Sequence, residues 1–390
     1  MALILTFLGK GGTGRTTIAI ATAKKLANQG KKVLLLSDDT SPALGLLLGT
    51  SLSMEITHIE RNFDALQLHS TVLLEKGWED IKQIESEYIR NPVLKNVYGQ
   101  ELSVLPGMDL ALSLNAIREY DASGKYDIII YDGLGNQTTL RMFGMPESLS
   151  WYIRRFQTVL QESDLWKTLS TFVQPVTSAV LNVAWTGESL PDKPTNQVNQ
   201  LLDKGKNAVS DVNRVAAYLV TTGDPSAIAT AKYLWGSAQQ VGLTVPGVIL
   251  NQTLIPDLMA AEVAANLEKL YKTYDQEGDI LQTVTAEFAP LTVKSMPIKE
   301  ANNWQILSDN LPDFTQVGLV PKPIEIDVQS RQVKLFLPSF DKTQVKLTQY
   351  GPEVTIEAGD QRRNILLPPQ LTGLPVKGAK FQNSYLTISF

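Results

Sequence analysis

The sequence predicts an α/β protein: a mostly parallel sheet flanked by helices, with a mostly helical insertion and a C-terminal antiparallel β-sandwich. Three observations carry this prediction. Near-continuous apolar runs alternate with helical segments over about the first 320 residues, as strands covered on both faces do. A glycine-rich loop joins the first of those runs to a helix. After Pro321-Lys322-Pro323 the chain turns to short strands separated by turn residues.

In chain order, strands are expected near 2–8, 32–37, 66–69, 127–132, 215–222 and 246–250. Helices are expected near 15–29, 75–90, 227–241 and 257–274, the first closed by Gly30 in the position after its cap. Residues 141–213 read as the helical insertion, with scattered Trp151, Trp166 and Trp185 and a break at Leu190-Pro191-Asp192-Lys193-Pro194. This gives a first domain over 1–320 and a second over 324–390. In the second, strands are expected at 324–328, 332–337, 345–350, 354–358, 364–367 and 385–390, with turns at Gly351-Pro352 and Gly359-Asp360.

The loop Gly9-Lys10-Gly11-Gly12-Thr13-Gly14-Arg15-Thr16-Thr17 carries the first functional signal. Glycine has no Cβ, so backbone N–H groups can close around phosphate oxygens. The following helix adds its free N–H groups and the positive end of its dipole. The spacing is that of a phosphate loop, and it implies a nucleoside triphosphate with Mg²⁺. Gly11, Gly12, Thr13, Gly14, Arg15, Thr16 and Thr17 are the expected nucleotide-binding residues. The Thr16 hydroxyl is the expected Mg²⁺ ligand, and Thr17 adds an α-phosphate contact. Arg15 stands where the motif has lysine. A planar fork is not interchangeable with a compact ammonium, so Arg15 either holds phosphate bidentately or holds it badly placed for hydrolysis.

Two carboxylates extend the site. Asp132 ends the apolar run 126–131 and is the expected Mg²⁺-supporting group, with Gly133 and Gly135 giving the next loop freedom to move. Asp39, in Ser37-Asp38-Asp39-Thr40-Ser41-Pro42, lies at the end of the second strand, where ligands of open α/β sheets bind. It is preferred over Asp38 as the group that orients attacking water. Alternatively, this stretch is an Asp-rich turn capping the next helix.

Composition removes other classes. A net charge of −5 argues against a nucleic-acid-binding protein. With no cysteine, there are no disulfides, thiolate metal sites or cysteine nucleophiles. The N-terminal apolar run is short, lacks a basic leader and feeds straight into the loop, so no signal peptide is expected. No apolar run of about eighteen residues is present, so no membrane span is expected and the protein is placed in the cytoplasm.

With these residues in hand, the chain resembles the ArsA-type anion-transporting ATPase family, which includes the arsenite-pump ATPase and the eukaryotic ATPase that targets tail-anchored membrane proteins. The family loop K-G-G-V-G-K-T-T corresponds to 10–17. Its first switch S-T-D-P-A-H is met by Ser37-Asp38-Asp39, while its Pro and His do not align. Its second switch D-T-A-P-T-G-H-T-L-R is met by Asp132, Thr139, Leu140 and Arg141, with a diverged middle. Gly247-Val248-Ile249-Leu250-Asn251-Gln252 resembles the family strand whose Asn contacts adenine, which makes Asn251 an adenine-reading candidate beside the plainer role of a strand-end cap. The resemblance implies a homodimer in which Lys10 reaches the nucleotide of the facing subunit and stabilises developing charge. It also implies an ATPase that gates a protein client, for which a hydrophobic helix is one candidate.

The segment 359–368, followed by Gly378-Ala379-Lys380-Phe381 and Leu386-Thr387-Ile388, resembles the α-crystallin domain of small heat-shock proteins. It is expected to bind a partner or dock on the ATPase. Within it, Arg362-Arg363 reads as a partner site or as a solvated strand pair. Two further functions stay open: a nucleotide-dependent binding module impaired in hydrolysis, favoured by Arg15, and the soluble subunit of an anion pump, disfavoured by the missing thiolates.

Overall fold

The computed structural model describes residues 1–76, 79, 107–161, 193–253, 277–299, 303–316, 318 and 320–390. The expected helix at 257–274, nearly all of that at 75–90, and Trp166 and Trp185 of the insertion lie outside them.

Eight strands form one sheet in the order β3-β4-β2-β5-β1-β6-β7-β8. They are β1 (Leu3–Leu8), β2 (Val33–Ser37), β3 (Thr57–Glu60), β4 (Phe63–Gln67), β5 (Ile128–Asp132), β6 (Val215–Thr221), β7 (Gly247–Thr253) and β8 (Thr292–Pro297). β1 sits centrally, parallel to β5 with Leu3 opposite Ile128 and parallel to β6 with Ile4 opposite Val215. Only β3 runs antiparallel, on β4. The central strands are buried on both faces, which is why they read as unbroken apolar runs.

The two edge strands β3 and β8 are absent from the sequence reading for the same reason. In β8 the exposed Thr292 and Lys294 alternate with the half-buried Val293 and Ser295, and in β3 the residues Thr57-His58-Ile59-Glu60 mix polar and apolar. Edges need only one covered face and tolerate charge. β4 begins at Phe63, earlier than expected, because Asp64 interrupts its apolar pattern.

The helices are α1 (Arg15–Asn28), α2 (Ala43–Leu48), α3 (Met108–Ala122), α4 (Gln137–Gln161), α5 (Lys193–Ser210), α6 (Pro225–Gln240), α7 (Glu277–Glu287) and α8 (Gln305–Asn310). α1 ends where Gly30 turns left-handed at φ 86° and donates to the Ala27 carbonyl at 2.9 Å. α6 starts on Asp224, whose carboxylate accepts the Ala227 N–H at 3.0 Å, with Pro225 in the first turn. The expected insertion is helical where it is described, as α4 and α5. Among the described residues no helix is long and apolar enough to cross a membrane.

The C-terminal strands form a second layered unit. β14-β15-β10-β9 make one antiparallel sheet and β11-β12-β13 another. Their ranges are β9 (Ile324–Asp327), β10 (Gln332–Phe336), β11 (Val345–Tyr350), β12 (Glu353–Ala358), β13 (Gln361–Leu366), β14 (Gly378–Gln382) and β15 (Tyr385–Ser389). Val333, Leu335, Val354, Ile356, Ile365, Leu386 and Ile388 fill the space between them. The reading of Arg362-Arg363 as a solvated pair needs correction. Adjacent strand residues point to opposite faces, so Arg362 is exposed while Arg363 is 6% exposed and donates to the Gln239 carbonyl at 2.9 Å.

Candidate functional site

The phosphate loop leaves the C-terminal end of β1, next to the ends of β5 and β2 and close to β7. This edge collects every loop the sequence marks, because parallel strands all deliver their C-terminal ends to one side. Gly12 and Gly14 have φ of 85° and 88°, a left-handed conformation natural to glycine. A Cβ on Gly11 or Gly12 would meet nothing within 4 Å, so the loop presents an open cradle. Thr13 is turned inward, and its hydroxyl donates to the Lys10 carbonyl at 2.9 Å. Thr16 and Thr17 are half-buried in the first turn of α1, whose N–H groups lack intrahelical partners.

Arg15 turns to the loop after Asp132. Its Nη1 donates to the carbonyl of Leu134 and lies 3.5 Å from that of Gly133. Both belong to the loop after Asp132, the second switch. That loop is also bonded to the phosphate loop directly. The Gly9 N–H donates to the Gly135 carbonyl at 2.9 Å, and the Gly135 N–H donates to Thr139 Oγ1 at 2.9 Å. Gly135 has φ 60°, and a Cβ there would run into Arg15 Nη1 and come within 2.6 Å of the Phe7 carbonyl oxygen. Burial lowers the pKa of Arg15, while Asp132 and Asp38 push the other way and favour its charge.

Asp132 is 6% exposed. Burial raises its pKa to about 6; the Thr16 hydroxyl and the Arg15 charge oppose the rise, and Asp38 and Asp39 add to it. A buried carboxylate beside a threonine hydroxyl is an oxygen-donor pair, the set that Mg²⁺ accepts. The residues therefore fit the ion that the loop implies. Ser37 Oγ donates to the Asp132 carbonyl and Thr6 Oγ1 to the Tyr131 carbonyl, each at 3.0 Å, so β5 is pinned from both neighbours.

The two carboxylates after β2 differ in surroundings. Tyr131 donates its hydroxyl to Asp38 Oδ2 at 2.6 Å, and burial raises the pKa of Asp38 against that hydrogen bond. Asp39 is exposed; its Oδ1 accepts the Ser41 N–H at 2.9 Å in a tight local turn.

Lys10 and Asn251 sit on the flanks. Lys10 Nζ lies 3.3 Å from Asp224 Oδ2 of the same chain, with both side chains about half exposed, 48% and 49%. Asn251 is buried behind the loop, where its Nδ2 donates to the Thr13 carbonyl at 2.8 Å and would collide with any Cβ on Gly14. The structure thus brings Arg15, Thr16 and Asp132 together, sets Asp39 at the rim, ties Lys10 to Asp224, and uses Asn251 to support the loop. Sequence reasoning missed Tyr131 and Asp224 as parts of this arrangement. Asp224-Pro225 is a recognisable helix start; Tyr131 gave no signal, because a tyrosine in an apolar run reads as core.

Comparison with known proteins adds the last element. A family model described as "Anion-transporting ATPase" matches residues 2–307, and one described as "HSP20-like domain found in ArsA" matches 329–390. A protein of Chlorobaculum tepidum provisionally named arsenical pump-driving ATPase is 28% identical over 402 residues, covering 99% of this chain and 95% of that protein. ATPase ASNA1 homolog 1 of Paramecium tetraurelia is 23% identical, covering 81% of this chain and 92% of its own. ATPase GET3 of Malassezia globosa is 23% identical, covering 64% of this chain and 72% of its own. With its phosphate loop on the central strand of a mostly parallel sheet and a C-terminal HSP20-like sandwich, the chain belongs to the anion-transporting ATPase family.

Proposed function

We propose that the protein is a cytoplasmic, homodimeric Mg²⁺-dependent ATPase that gates a protein client, with its ATPase unit over 1–320 and its sandwich over 324–390. One observation carries the nucleotide reading. A left-handed glycine loop at the end of the central strand faces the pair Thr16 and Asp132. The free N–H groups of 11–17 would hold phosphates. Thr16 and Asp132 would hold Mg²⁺, which when bound offsets the charge of the phosphate oxygens. Asp39 is the group that orients water: it lies at the rim with one oxygen turned to Ser41, whereas Asp38 is occupied by Tyr131.

Lys10 would act across the dimer. Its pair with Asp224 is half exposed, so releasing it costs little. The relatives named ATPase GET3 and ATPase ASNA1 homolog 1 support the ATPase reading. They do not name a client for this chain.

The test is steady-state ATP hydrolysis with Mg²⁺ by the full chain, beside Asp39→Asn and Arg15→Lys. Turnover that vanishes in Asp39→Asn supports the ATPase. A specific observation favours a second reading, a nucleotide-gated module without turnover: Arg15 holds the second switch by its carbonyls. That reading expects no turnover in the natural chain and its appearance in Arg15→Lys. A single sedimenting species at monomer mass with Mg²⁺ and ATP would remove the dimer.

A further inference from the structure

The C-terminal sandwich is held to the ATPase by a seam of two unlike halves. On α6 the contact is close and mainly apolar, with one buried polar tie from Arg363 Nη1 to the Gln239 carbonyl at 2.9 Å. Trp235 packs edge-on against Phe336 at 5.5 Å between ring centres, and Tyr233 against Phe340 at 6.1 Å. A Cβ on Gly236 would strike the Pro338 carbonyl and the Phe340 ring. On α4 the contact is polar. Arg141 pairs with Asp360, and Gln361 donates to the Gln137 side-chain oxygen. Trp151 Nε1 donates to Glu353 at 2.9 Å, and Arg154 reaches the same carboxylate at 3.3 Å. Arg362 lies over the Trp151 ring at 5.1 Å, and Arg155 over Tyr350 at 3.7 Å.

The seam as a whole is incompletely satisfied. Cavities of about 100 Å³ and 200 Å³ lie along it, walled by Arg141, Gln240 and Arg362 and by Arg154, Lys206 and Arg363, with Glu147 in both. Six of the nine buried side-chain atoms without a hydrogen-bond partner among the described residues belong to this seam: Arg154 Nε on α4, Arg363 Nε on β13, and on α6 both amide atoms of Gln240, Gln239 Oε1 and Trp235 Nε1. An interface made to stay shut packs at interior density and pairs its polar atoms. One that opens tolerates such losses.

What the polar half grips is the helix of the second switch. Gln137 is the first residue of α4 and follows directly on the loop that Arg15 and Gly9 hold. We propose that the sandwich is a releasable clamp on this helix, pivoting on its apolar anchor at α6 while its polar clasp on α4 opens when nucleotide occupies the phosphate loop. Phosphate competes with the Leu134 and Gly133 carbonyls for Arg15. The loop then shifts, and the first turn of α4 carries Gln137 and Arg141 away from Gln361 and Asp360. Linkage requires the reverse effect: a weakened clasp makes nucleotide bind more tightly.

This inference rests on nucleotide binding at the phosphate loop, so the experiment measures that first. Calorimetry with Mg²⁺-ADP and Mg²⁺-ATPγS on the full chain is followed by amide exchange with and without each nucleotide. Faster exchange across β12 and β13 with nucleotide bound, and unchanged exchange across β15, is the expected result. Glu353→Ala, which removes the acceptor shared by Trp151 and Arg154, is expected to tighten ATPγS about fivefold, the low end of ordinary coupling. Should that variant fail to fold, Trp151→Phe removes one donor and keeps the ring under Arg362, and the same direction is expected. A merely structural lesion would weaken binding. Nucleotide that binds with no change in β12 and β13, or a clasp variant with unchanged or weaker affinity, overturns the clamp and leaves the proposed function standing. No binding heat at all removes both.

Discussion

Replacing Arg15 by lysine restores the residue usual in a phosphate loop, and here it is expected to loosen the protein. Arg15 Nη1 donates to the Leu134 carbonyl and lies at the limit of hydrogen bonding from the Gly133 carbonyl. The lysine ammonium has three donors but they radiate from one nitrogen, without the spread of the guanidinium fork, so it cannot reach the second-switch carbonyls and the cradle at once. The variant therefore loses one charge-assisted hydrogen bond, worth about 2 kcal/mol, while the second contact at 3.5 Å adds little. Local opening of the second switch should become about 30-fold more frequent, since about 1.4 kcal/mol is a factor of ten. Two amides report it. The Gly9 N–H is bound to the Gly135 carbonyl and the Gly135 N–H to Thr139 Oγ1. Hydrogen exchange at both should accelerate by that factor, while amides in β6 stay unchanged. Equal protection in the two proteins would refute the assignment of Arg15 as the tie between the loops.

Asp132→Asn should raise stability in a pH-dependent way. The folded carboxyl has a pKa of about 6 against 3.8 for the ordinary group, so the folded chain binds the proton more tightly than the unfolded chain. Its burial therefore opposes folding in full above about pH 6, and the penalty fades as pH falls toward 4. Urea unfolding should show the variant about 3 kcal/mol more stable at pH 8 and near equality at pH 4, with nucleotide affinity lost; a gap independent of pH would sink the argument. Asn251→Ala strips the Thr13 carbonyl of its donor and should cost about 1–3 kcal/mol by the same assay, with weaker nucleotide binding. Gly14→Ala meets both a φ of 88° and the Asn251 amide, and should lose about 2 kcal/mol or more along with nucleotide-dependent thermal stabilisation.

Much of this protein is written locally. The central strands β1, β2, β5 and β6 are apolar from end to end because both faces are covered, and their positions follow from that alone. The phosphate loop is legible because its chemistry depends on backbone freedom at Gly12 and Gly14, which sequence states outright. The edge strands β3 and β8 escaped the reading, since a strand with one open face carries a mixed pattern. So did α3, whose buried face is confined to a few positions such as Met108, Leu112 and Ala116.

The site divides in the same way. Sequence alone determined that a glycine cradle, Thr16, Asp39 and Asp132 would gather at one sheet edge, because each follows a parallel strand or starts the helix after one. Tertiary structure alone decided their partners. Tyr131 holds Asp38, Asn251 holds the loop from behind, and Arg363 is buried beside α6 while its neighbour Arg362 stays exposed. Arg15 was visible as an anomaly, but its hold on the second switch was not. Those pairings join residues about 90 to 240 positions apart, and a local pattern records which face a side chain takes but not what the fold sets opposite it.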